Sequence, residues 1–394
     1  MTTSNILSIN RGSSSLKFAL YAFKEGREEL LARGEVEQIN LDRGRLWIER
    51  PDGKDRSDIS GEFPDSNAAV LAAFAAMKRL GLPPPDAAGH RLVHGGPTHV
   101  APERITAQLI ASLRDLVRFA PLHMPIEIQA IEAITARLPD LPQVACFDTS
   151  FHQRMPEAAR RLPIPRSWWD EGVRRYGFHG ISYEYIMQAL GAIPPDKIVI
   201  AHLGNGASMV AVRGGQPIDT TMGLTPTGGL MMGTRSGDLD PGVLLFMLTQ
   251  KNYSNTRLEQ LINRESGLLG VSAVSSDVRT LIEQSDADPR ASQAIEMFCY
   301  QISKQIGAYS AALGGLDLLV FTGGIGEHAA PVREQACRRL GFVGIQLDEE
   351  RNRANADTIS TFDSRCAVRV IPTNEDLMIA RHAQSLLAGN PEPK

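Results

Sequence analysis

The chain has 394 residues, of which 43% are apolar and 22% are charged, and its formal net charge is −4. These proportions are typical of a soluble globular protein, and the length favours two domains with a cleft between them. The slightly acidic balance, without a segment rich in Lys and Arg, argues against a nucleic-acid-binding surface. The amino-terminal stretch lacks the pattern of a secretion signal, and the longest apolar run, 68–77, is too short to span a bilayer. We therefore expect a cytoplasmic protein without a membrane segment.

The four cysteines show neither CxxC spacing nor the clustering of a disulfide framework. Most of them lie within apolar runs, at Cys146, Cys299, Cys337 and Cys366. We expect them to be buried, reduced thiols.

Short strands and helices alternate along the first half of the chain, which favours an α/β fold. A strand, a turn of glycine and serine, and a second strand are predicted over 6–21. A helix is predicted over 66–80, where Gly81 and Pro83 follow it, and another begins at Pro125. The apolar run QVACF predicts a strand that ends immediately before Asp148.

The second half repeats this alternation. A strand, a glycine turn and a strand are predicted over 198–212, and helices begin at Asp240–Pro241 and Asp288–Pro289. An apolar strand with a glycine turn occupies 316–328 and leads into a helical pattern. A last helix begins near Thr373, with Asp376 as a capping-box partner.

The two strand–turn–strand segments place Gly12 and Gly204 in equivalent turns, nearly half the chain apart. This spacing indicates an internal duplication, although ordinary hairpin chemistry produces similar patterns. Turns of small residues expose backbone N–H groups that bind phosphate. In the first turn, Ser15 adds a hydroxyl group and Lys17 adds a positive charge.

The stretch from Thr221 to Gly242 is rich in glycine and contains a single arginine, Arg235. Glycine allows the backbone to approach a ligand closely, and the guanidinium group suits an anionic ligand. The stretch is therefore either a substrate-binding loop or an ordinary connection, and its composition is compatible with both.

Several common sites are excluded or disfavoured by the motifs. The sequence contains neither GxGxxG after the first strand nor GxxxxGK[ST], so it supports neither a dinucleotide-binding enzyme nor a P-loop NTPase. His90 and His94 have HxxxH spacing, but no third ligand accompanies them, which disfavours zinc.

A series of motifs in chain order resembles the acetate kinase family, within the superfamily of sugar kinases, heat-shock chaperones and actin. The motifs are SINRGSSSLK (8–17), HRLVHGG (90–96), APLH (120–123), CFDTSFH (146–152), RRYGFHG (174–180), AHLGNGAS (201–208), MMGTRSGDLDPG (231–242), SSDVR (275–279), FTGGIGE (321–327) and PTNEDLMIAR (372–381).

This resemblance implies a duplicated RNase H-like, actin-like ATPase fold with two domains around a nucleotide cleft. The acetate and phosphoryl side would comprise 1–150 plus 375–394, and the nucleotide-binding domain would comprise 151–374. It implies reversible transfer of the ATP γ-phosphoryl group to acetate, giving acetyl phosphate and ADP. Magnesium is the expected metal, with manganese as an alternative, and a homodimer is expected.

The resemblance assigns Arg91 and Arg235 to orienting acetate and neutralising the transferring phosphoryl group. His179 would form a hydrogen bond with that group in the transition state. Independently of the resemblance, His123 precedes Pro125 at a predicted helix N-terminus, which favours an anion, so we expect His123 to make a supporting contact. Asp148 is essential in the family as an acid/base or as a holder of magnesium-bound water. Because acetate is already an anion, we favour the second role.

The remaining site residues are also implied by the resemblance. The metal-associated positions are Asn10 and Glu375, although Glu375 alone would be an ordinary acid in a first helical turn. The apolar walls for the small acid are Val93, Leu122, Phe178 and Pro226. The positions expected to bind the nucleotide include Ser15 and Lys17 of the first turn. The others are His202, Leu203, Gly204, Asn205, Gly206, Asp277, Val278, Arg279, Gly324, Ile325, Gly326, Glu327 and His328.

The chain departs from the family at several of these places. His328 replaces the common Asn, and Val278 stands where Phe or Met is frequent. Thr227 and Gly228 replace the usual Leu-Glu, and Met124 replaces Asn. A propionate or butyrate kinase and a pyrophosphate-dependent relative therefore remain alternatives, since a methylene changes binding by only about 1–3 kcal/mol. A non-enzymatic ATP-driven binding protein is a more distant one.

Overall fold

The computed structural model describes residues 3–53 and 55–389, and the chain forms two compact units. Unit 1 comprises Met1–Ser150 and Asn374–Lys394, and unit 2 comprises Phe151–Thr373. The chain therefore leaves unit 1 once and returns to it for its last helix. The return lies one residue before the boundary placed by sequence.

The amino-terminal part of unit 1 alternates strands with three helices. In chain order its elements are β1 (Ser4–Arg11), β2 (Leu16–Lys24), β3 (Arg27–Glu37), β4 (Gly44–Glu49), β5 (Arg56–Gly61), α1 (Ser66–Arg79), β6 (Ala87–Leu92), β7 (Glu103–Arg104), α2 (Ala107–Asp115), a 3₁₀ helix (Leu116–Phe119), α3 (Met124–Arg137) and β8 (Gln143–Phe147).

Unit 2 follows a 3₁₀ helix at Ser150–Arg154 and is richer in helices. Its elements are α4 (Glu157–Arg160), α5 (Ser167–Asp170), α6 (Gly180–Ala189), β9 (Lys197–Leu203), β10 (Ala207–Arg213), β11 (Gln216–Thr220), α7 (Pro241–Thr249), α8 (Asn255–Arg264), α9 (Gly267–Ser272), α10 (Val278–Gln284), α11 (Pro289–Leu313), β12 (Leu318–Thr322), α12 (Gly323–His328), α13 (Ala330–Cys337), a 3₁₀ helix (Gly341–Val343), α14 (Glu349–Arg353) and β13 (Ala367–Val370). The last helix, α15 (Glu375–Leu387), belongs to unit 1.

The two sheets share the topology of a five-stranded core, β3-β2-β1-β6-β8 in unit 1 and β11-β10-β9-β12-β13 in unit 2. Within the described residues, unit 1 has eight strands in the order β5-β4-β3-β2-β1-β6-β8-β7, and unit 2 has five in the order β11-β10-β9-β12-β13. In each unit an antiparallel β-meander is followed by two strands parallel to its first strand. The predicted α/β class and duplication are therefore confirmed, and the Gly12 and Gly204 turns are equivalent in topology.

The predicted helix signals operate as expected in most places. Asp65 caps α1 by accepting the amide of Ala68, and Asp288 caps α11, which ends at Gly314 in the left-handed conformation. The last helix, α15, begins near Thr373 as predicted, but its predicted capping box is wrong. Its N-cap is Asn374, whose side chain accepts the amide of Leu377, so Asp376 is not a capping-box partner.

Asp376 is partly buried, and its carboxylate accepts the Ser8 hydroxyl at 3.3 Å instead. In this way α15 packs on the sheet of unit 1, while α1 and α3 enclose the main apolar core of the unit. In unit 2, an apolar cluster lies between α6 and the sheet. All four cysteines are buried and free, as predicted. Among the described helices, none combines the length and apolar composition needed to cross a membrane.

Candidate active site

A charged cluster lies at the carboxyl edge of the parallel strands in unit 1. Arg91, near the end of β6, donates from Nε to Asp148 Oδ1 at 3.1 Å and from a terminal nitrogen to Asp148 Oδ2. Its other terminal nitrogen donates to Asn10 Oδ1 at 3.2 Å. The structure therefore brings together three of the predicted site residues.

The sheet explains this arrangement. β1, β6 and β8 are neighbouring parallel strands, so their carboxyl ends meet at one edge of the sheet. Asp148 directly follows β8, and its amide donates to the carbonyl of Leu92 at 2.9 Å. Its side chain is fully buried, whereas the side chain of Arg91 keeps 17% of its exposure. The predicted position of Asp148 at a strand end is confirmed.

The cluster keeps Arg91 positively charged. Burial lowers the pKa of Arg91, but the charges of Asp148, Glu375 and Glu127 outweigh it and raise the pKa overall. Glu375, in the first turn of α15, accepts the Asn10 amide nitrogen at 3.4 Å. The guanidinium group therefore stands among oxygen atoms that hold its orientation.

Three other residues that were predicted to lie near the acid, Val93, Leu122 and His123, also belong to unit 1. Val93 is 3% exposed, and its amide donates to Glu127 at 3.0 Å. Leu122 is 37% exposed, and His123 is the N-cap residue of α3. Met124, one of the departures, is fully buried and contributes to the core.

The first glycine turn is held by a buried arginine. Gly12 donates its amide to the carbonyl of Ser15 at 2.8 Å. Arg11, only 4% exposed, donates to the carbonyls of Gly12 and Ser15 and from Nε to Ser66. Lys17 is exposed on β2. The turn is thus supported from inside by a cation that composition did not single out.

In unit 2, His179 has an unusual backbone conformation. Its φ is +60°, the left-handed region that is uncommon for residues other than glycine, and it precedes α6 as the N-cap. Its Nδ1 lies 2.8 Å from the hydroxyl of Ser208, which also bonds the hydroxyl of Tyr183. Such strain persists where the surroundings determine the geometry, and it is frequent at functional sites.

The rings of His179 and His202 stack with centroids 4.3 Å apart. His202 lies on β9, and its Nδ1 is 2.8 Å from the hydroxyl of Ser182. Ser182 in turn bonds Thr373 at 2.8 Å. The hydroxyl groups of Ser182 and Thr373 therefore hold the ring of His202, which immediately precedes the second predicted phosphate turn.

The turn after β9 is closed by a bond of 3.0 Å from the Gly204 amide to the Gly206 carbonyl. A Cβ atom at Gly206 would lie 3.4 Å from His179 Nε2 and 3.7 Å from a terminal nitrogen of Arg235. Asn205 is just as crowded, since a Cβ at Gly233 would lie 2.3 Å from its side-chain oxygen. The structure thus places the turn, His179 and Arg235 together.

The loop that carries Arg235 is irregular but well packed. Arg235 donates to the carbonyl of Pro226 at 3.2 Å. The loop methionines Met222, Met231 and Met232 are at most 1% exposed. Within this loop Thr227, one of the departures, bonds the side chain of Asn263 at 2.6 Å. Phe178, the other predicted wall in this unit, is 1% exposed.

The predicted nucleoside-binding residues lie at the starts of α10 and α12. Asp277 caps α10 by accepting the amide of Thr280 at 2.8 Å, and these hydrogen bonds lower the pKa of the Asp277 carboxyl. Val278 is 3% exposed, whereas Arg279 is exposed. At Gly324 an added Cβ would meet nothing within 4 Å, which leaves room for a ligand.

Glu327 forms hydrogen bonds with two backbone amides of unit 2. Its Oε1 accepts the amide of Gly323 at 2.9 Å and that of Thr373 at 3.2 Å. His328, by contrast, has a side chain that is 72% exposed. Of the remaining nucleotide-side positions, Leu203 and Gly326 are buried and Ile325 is half-buried.

Arg333, which motif analysis missed, supports the backbone of the predicted nucleoside segment. It is fully buried and donates to the carbonyls of Gly326 and Glu327 at 2.8 and 3.0 Å. It also donates to Asn352 and Asn355 at 2.7–2.8 Å. A sequence signal was present, because Arg333 lies on the buried face of α13 beside Val332 and Ala336.

The two histidines of the HxxxH motif, His90 and His94, form hydrogen bonds within the protein. His90 Nε2 lies 2.8 Å from Gln143 Oε1, and burial lowers the pKa of His90 to about 4 despite this hydrogen bond. His94 Nδ1 accepts the amide of Gly96 at 2.8 Å, and its ring stacks on Phe119.

Comparison with known proteins agrees with this fold. The profile of the Acetokinase family matches residues 5–381. An acetate kinase of Rhodopseudomonas palustris is 45% identical over 400 aligned positions, covering 98% of each chain. The crystal structure of Porphyromonas gingivalis acetate kinase superposes with a TM-score of 0.88 at 39% identity, covering 98% of this chain and 100% of that one.

A propionate kinase from Francisella tularensis superposes with a TM-score of 0.90 at 35% identity, covering 97% of this chain and 99% of that one. The fold is thus the actin-like ATPase fold of these phosphotransferases, as predicted from sequence. The chain belongs to the acetokinase family.

Proposed function

We propose that this protein transfers the γ-phosphoryl group of ATP to acetate, giving acetyl phosphate and ADP, and catalyses the reverse reaction. The observation that carries the proposal is the Arg91–Asp148–Asn10 cluster at the carboxyl edge of the unit 1 sheet. It supplies a fixed cation at the place where open α/β sheets bind ligands. The family membership identifies phosphoryl transfer to a small carboxylate as the reaction.

The chemistry requires cations more than a base. Acetate is an anion at neutral pH, so the obstacle is repulsion between the nucleophile and the phosphoryl group. Arg91 suits this task because its fork geometry matches a carboxylate. Asp148 is engaged by that same guanidinium group. This pairing supports a positioning role for Asp148 rather than proton transfer.

Unit 2 would supply the phosphoryl-binding groups. His179 and Arg235 lie beside the Gly204–Gly206 turn, which is closed by the bond from the Gly204 amide to the Gly206 carbonyl. Because Nδ1 of His179 is engaged with Ser208, Nε2 is the nitrogen suited to a hydrogen bond with the phosphoryl group. A fixed geometry of this kind would favour the transition state over the bound substrate.

The residues present fit a magnesium ion. Asn10, Asp148 and Glu375 offer the oxygen atoms that hard cations prefer, and all three belong to the hydrogen-bonded cluster in unit 1. We propose that Asn10 and Glu375 hold the ion, directly or through water, with Asp148 orienting that water. Magnesium, for which manganese could substitute, would neutralise the phosphate oxygens of ATP.

The preferred acid is proposed to be acetate, with propionate second. The predicted apolar residue Val93 is buried beside Arg91 in sequence, which would suit a small alkyl group, and the structural relatives include both an acetate and a propionate kinase. Thr227 lies on the Arg235 loop, where the chain departs from the family pattern. Selectivity between the two acids is therefore expected to be modest.

A homodimer in the cytoplasm is also proposed. α7 has the sequence PGVLLFMLT and no buried residue, with Val243, Leu245 and Phe246 exposed. An apolar helix of this kind favours contact with a second copy of the chain. The four free, buried thiols are consistent with a reducing compartment.

The decisive experiment is an acyl phosphate assay with the purified protein. Acetate, propionate and butyrate are tested against ATP, GTP and pyrophosphate, and the product is trapped with hydroxylamine. We expect hydroxamate with ATP and acetate at the highest kcat/KM. No hydroxamate with any pair, together with ATP binding, would identify a non-enzymatic ATP-binding protein instead.

A further inference from the structure

Glu127 is a buried acid with no assigned role in the proposed reaction. It lies in the first turn of α3 and is only 2% exposed. The charged groups that act on it are Arg91 from β6, Arg11 from β1 and Asp148 after β8. A carboxyl group among these residues is close enough to the proposed acetate site to influence it electrostatically.

The hydrogen bonds of Glu127 connect two parts of that site. Its Oε2 accepts the amide of Val93 at 3.0 Å, and its own amide donates to the carbonyl of His123 at 3.2 Å. Its Oε1 is buried and has no hydrogen-bond partner among the described residues. Glu127 therefore joins the segment after Arg91 to the start of α3.

The first turn of α3 is supported from a second side. Ser66 donates its hydroxyl to the carbonyl of Ile126 at 3.3 Å, and Arg11 donates to Ser66 at 3.2 Å. The backbone around Glu127 is thus held on both sides, so its carboxyl group has a defined position relative to Val93. A side chain held in this way suits a residue that preorganises a binding site.

We propose, on the basis of the proposed phosphorylation of acetate, that Glu127 is a positioning residue for the acyl end of the site. Its carboxyl group holds the backbone of Val93 next to Arg91, and its charge determines how strongly the site binds the carboxylate of the acid. When Glu127 is neutral, the positive charge of Arg91 attracts the acid. When Glu127 is ionised, its negative charge opposes that attraction.

The charge of Glu127 is expected to change in an accessible range. Burial raises the pKa of Glu127 to about 8, against the opposing effects of Arg91 and the Val93 amide. Acetate itself stays ionised throughout this range, because carboxyl groups ordinarily titrate near pH 4. A loss of acetate affinity at alkaline pH is therefore the signature of ionised Glu127.

The test compares two variants with a matched control. Glu127→Gln keeps an acceptor for Val93 but cannot ionise, and Glu127→Leu removes both the acceptor and the charge. Glu132→Gln changes a half-exposed acid on the same helix, paired with Arg114 at 2.6 Å. For each protein, kcat and the KM values for acetate and ATP are measured from about pH 7 to about pH 9.

We expect the acetate KM of the wild type and of Glu132→Gln to rise about tenfold over this range, equivalent to one pKa unit of interaction. In Glu127→Gln the rise should be largely absent, with little change in the KM for ATP. In Glu127→Leu the acetate KM should be raised at every pH. Equal pH profiles in wild type and Glu127→Gln, or an unchanged acetate KM in Glu127→Leu, would overturn the proposal.

Thermal unfolding gives a readout that does not depend on activity. An acid with a raised pKa in the folded state binds more protons than in the unfolded state, so its contribution to stability falls as pH rises toward about 8. Glu127→Gln should therefore gain in Tm relative to wild type as pH rises, whereas parallel curves would contradict the assigned charge. If wild-type protein formed no acetyl phosphate at all, the proposed function itself would fail before any variant was compared.

Discussion

The β1–β2 turn of unit 1 and the β9–β10 turn of unit 2 have the same topology but different chemistry. The first turn is held from within by buried Arg11 and belongs to a sheet edge that carries the ionic cluster of Arg91, Asp148 and Glu375. The second is bordered by the rings of His179 and His202 and contains no charged side chain of its own. The duplicated backbone therefore preserves a turn of small residues, while the side chains around the two turns differ.

The two predicted catalytic arginines follow the same contrast. Arg91 is held by a fully buried carboxylate, whereas Arg235 is held by a backbone carbonyl in a glycine-rich loop. Removing Arg91 should therefore affect folding as well as catalysis, and removing Arg235 should affect mainly catalysis. This difference can be tested directly.

The largest effect is expected for Arg91→Ala. The change leaves Asp148 buried without its cation, which typically costs about 3–5 kcal/mol of unfolding free energy in addition to the loss of activity. Denaturant unfolding and steady-state kinetics measure both. The double variant Arg91→Ala/Asp148→Ala should recover part of the stability but no activity. If Arg91→Ala had the same free energy of unfolding as wild type, the ion pair would not contribute to stability.

Arg235→Ala should reduce kcat by about 10²–10³-fold, the usual effect of losing one transition-state contact. The KM for ATP and the unfolding free energy should change much less than in Arg91→Ala. Steady-state kinetics with both substrates varied separates these quantities. An unchanged kcat would remove Arg235 from the phosphoryl-transfer groups.

A smaller effect is expected for Arg333→Lys, which tests the support of the Gly323–His328 segment. Lysine cannot reproduce the fork of hydrogen bonds to Gly326, Glu327 and Asn352, and the buried carbonyls left unpaired cost about 1–3 kcal/mol. The KM for ATP should rise several-fold, with little change in the KM for acetate. Equal increases in both KM values would indicate a general loss of structure.

The smallest effect is expected for Asp277→Ala, with Asp65→Ala as the matched control. Both residues are helix N-caps that accept a backbone amide at 2.8 Å, so each loss should cost about 1 kcal/mol. Only Asp277 belongs to the predicted nucleoside region. If both variants had the same KM for ATP as wild type, Asp277 would be a cap and nothing more.

Much of the fold could be predicted because its signals are local. Asp288 and Gly314 delimit the longest helix, and both glycine-turned hairpins were visible from apolar runs separated by small residues. The cap of α15 was misassigned because Thr373 and Asn374 are both good caps. A tertiary hydrogen bond between the hydroxyl groups of Thr373 and Ser182 leaves Asn374 as the cap.

By itself, the sequence determined the α/β duplication, the family and the positions expected to carry the chemistry, because those depend on short motifs and on local periodicity. Only the tertiary structure decided how these residues are held. The Asn10–Glu375 bond joins residues at opposite ends of the chain, and the roles of Glu127 and Arg333 arise from burial among groups distant in sequence. Burial and long-range proximity set hydrogen bonding and charge, and no local pattern encodes them.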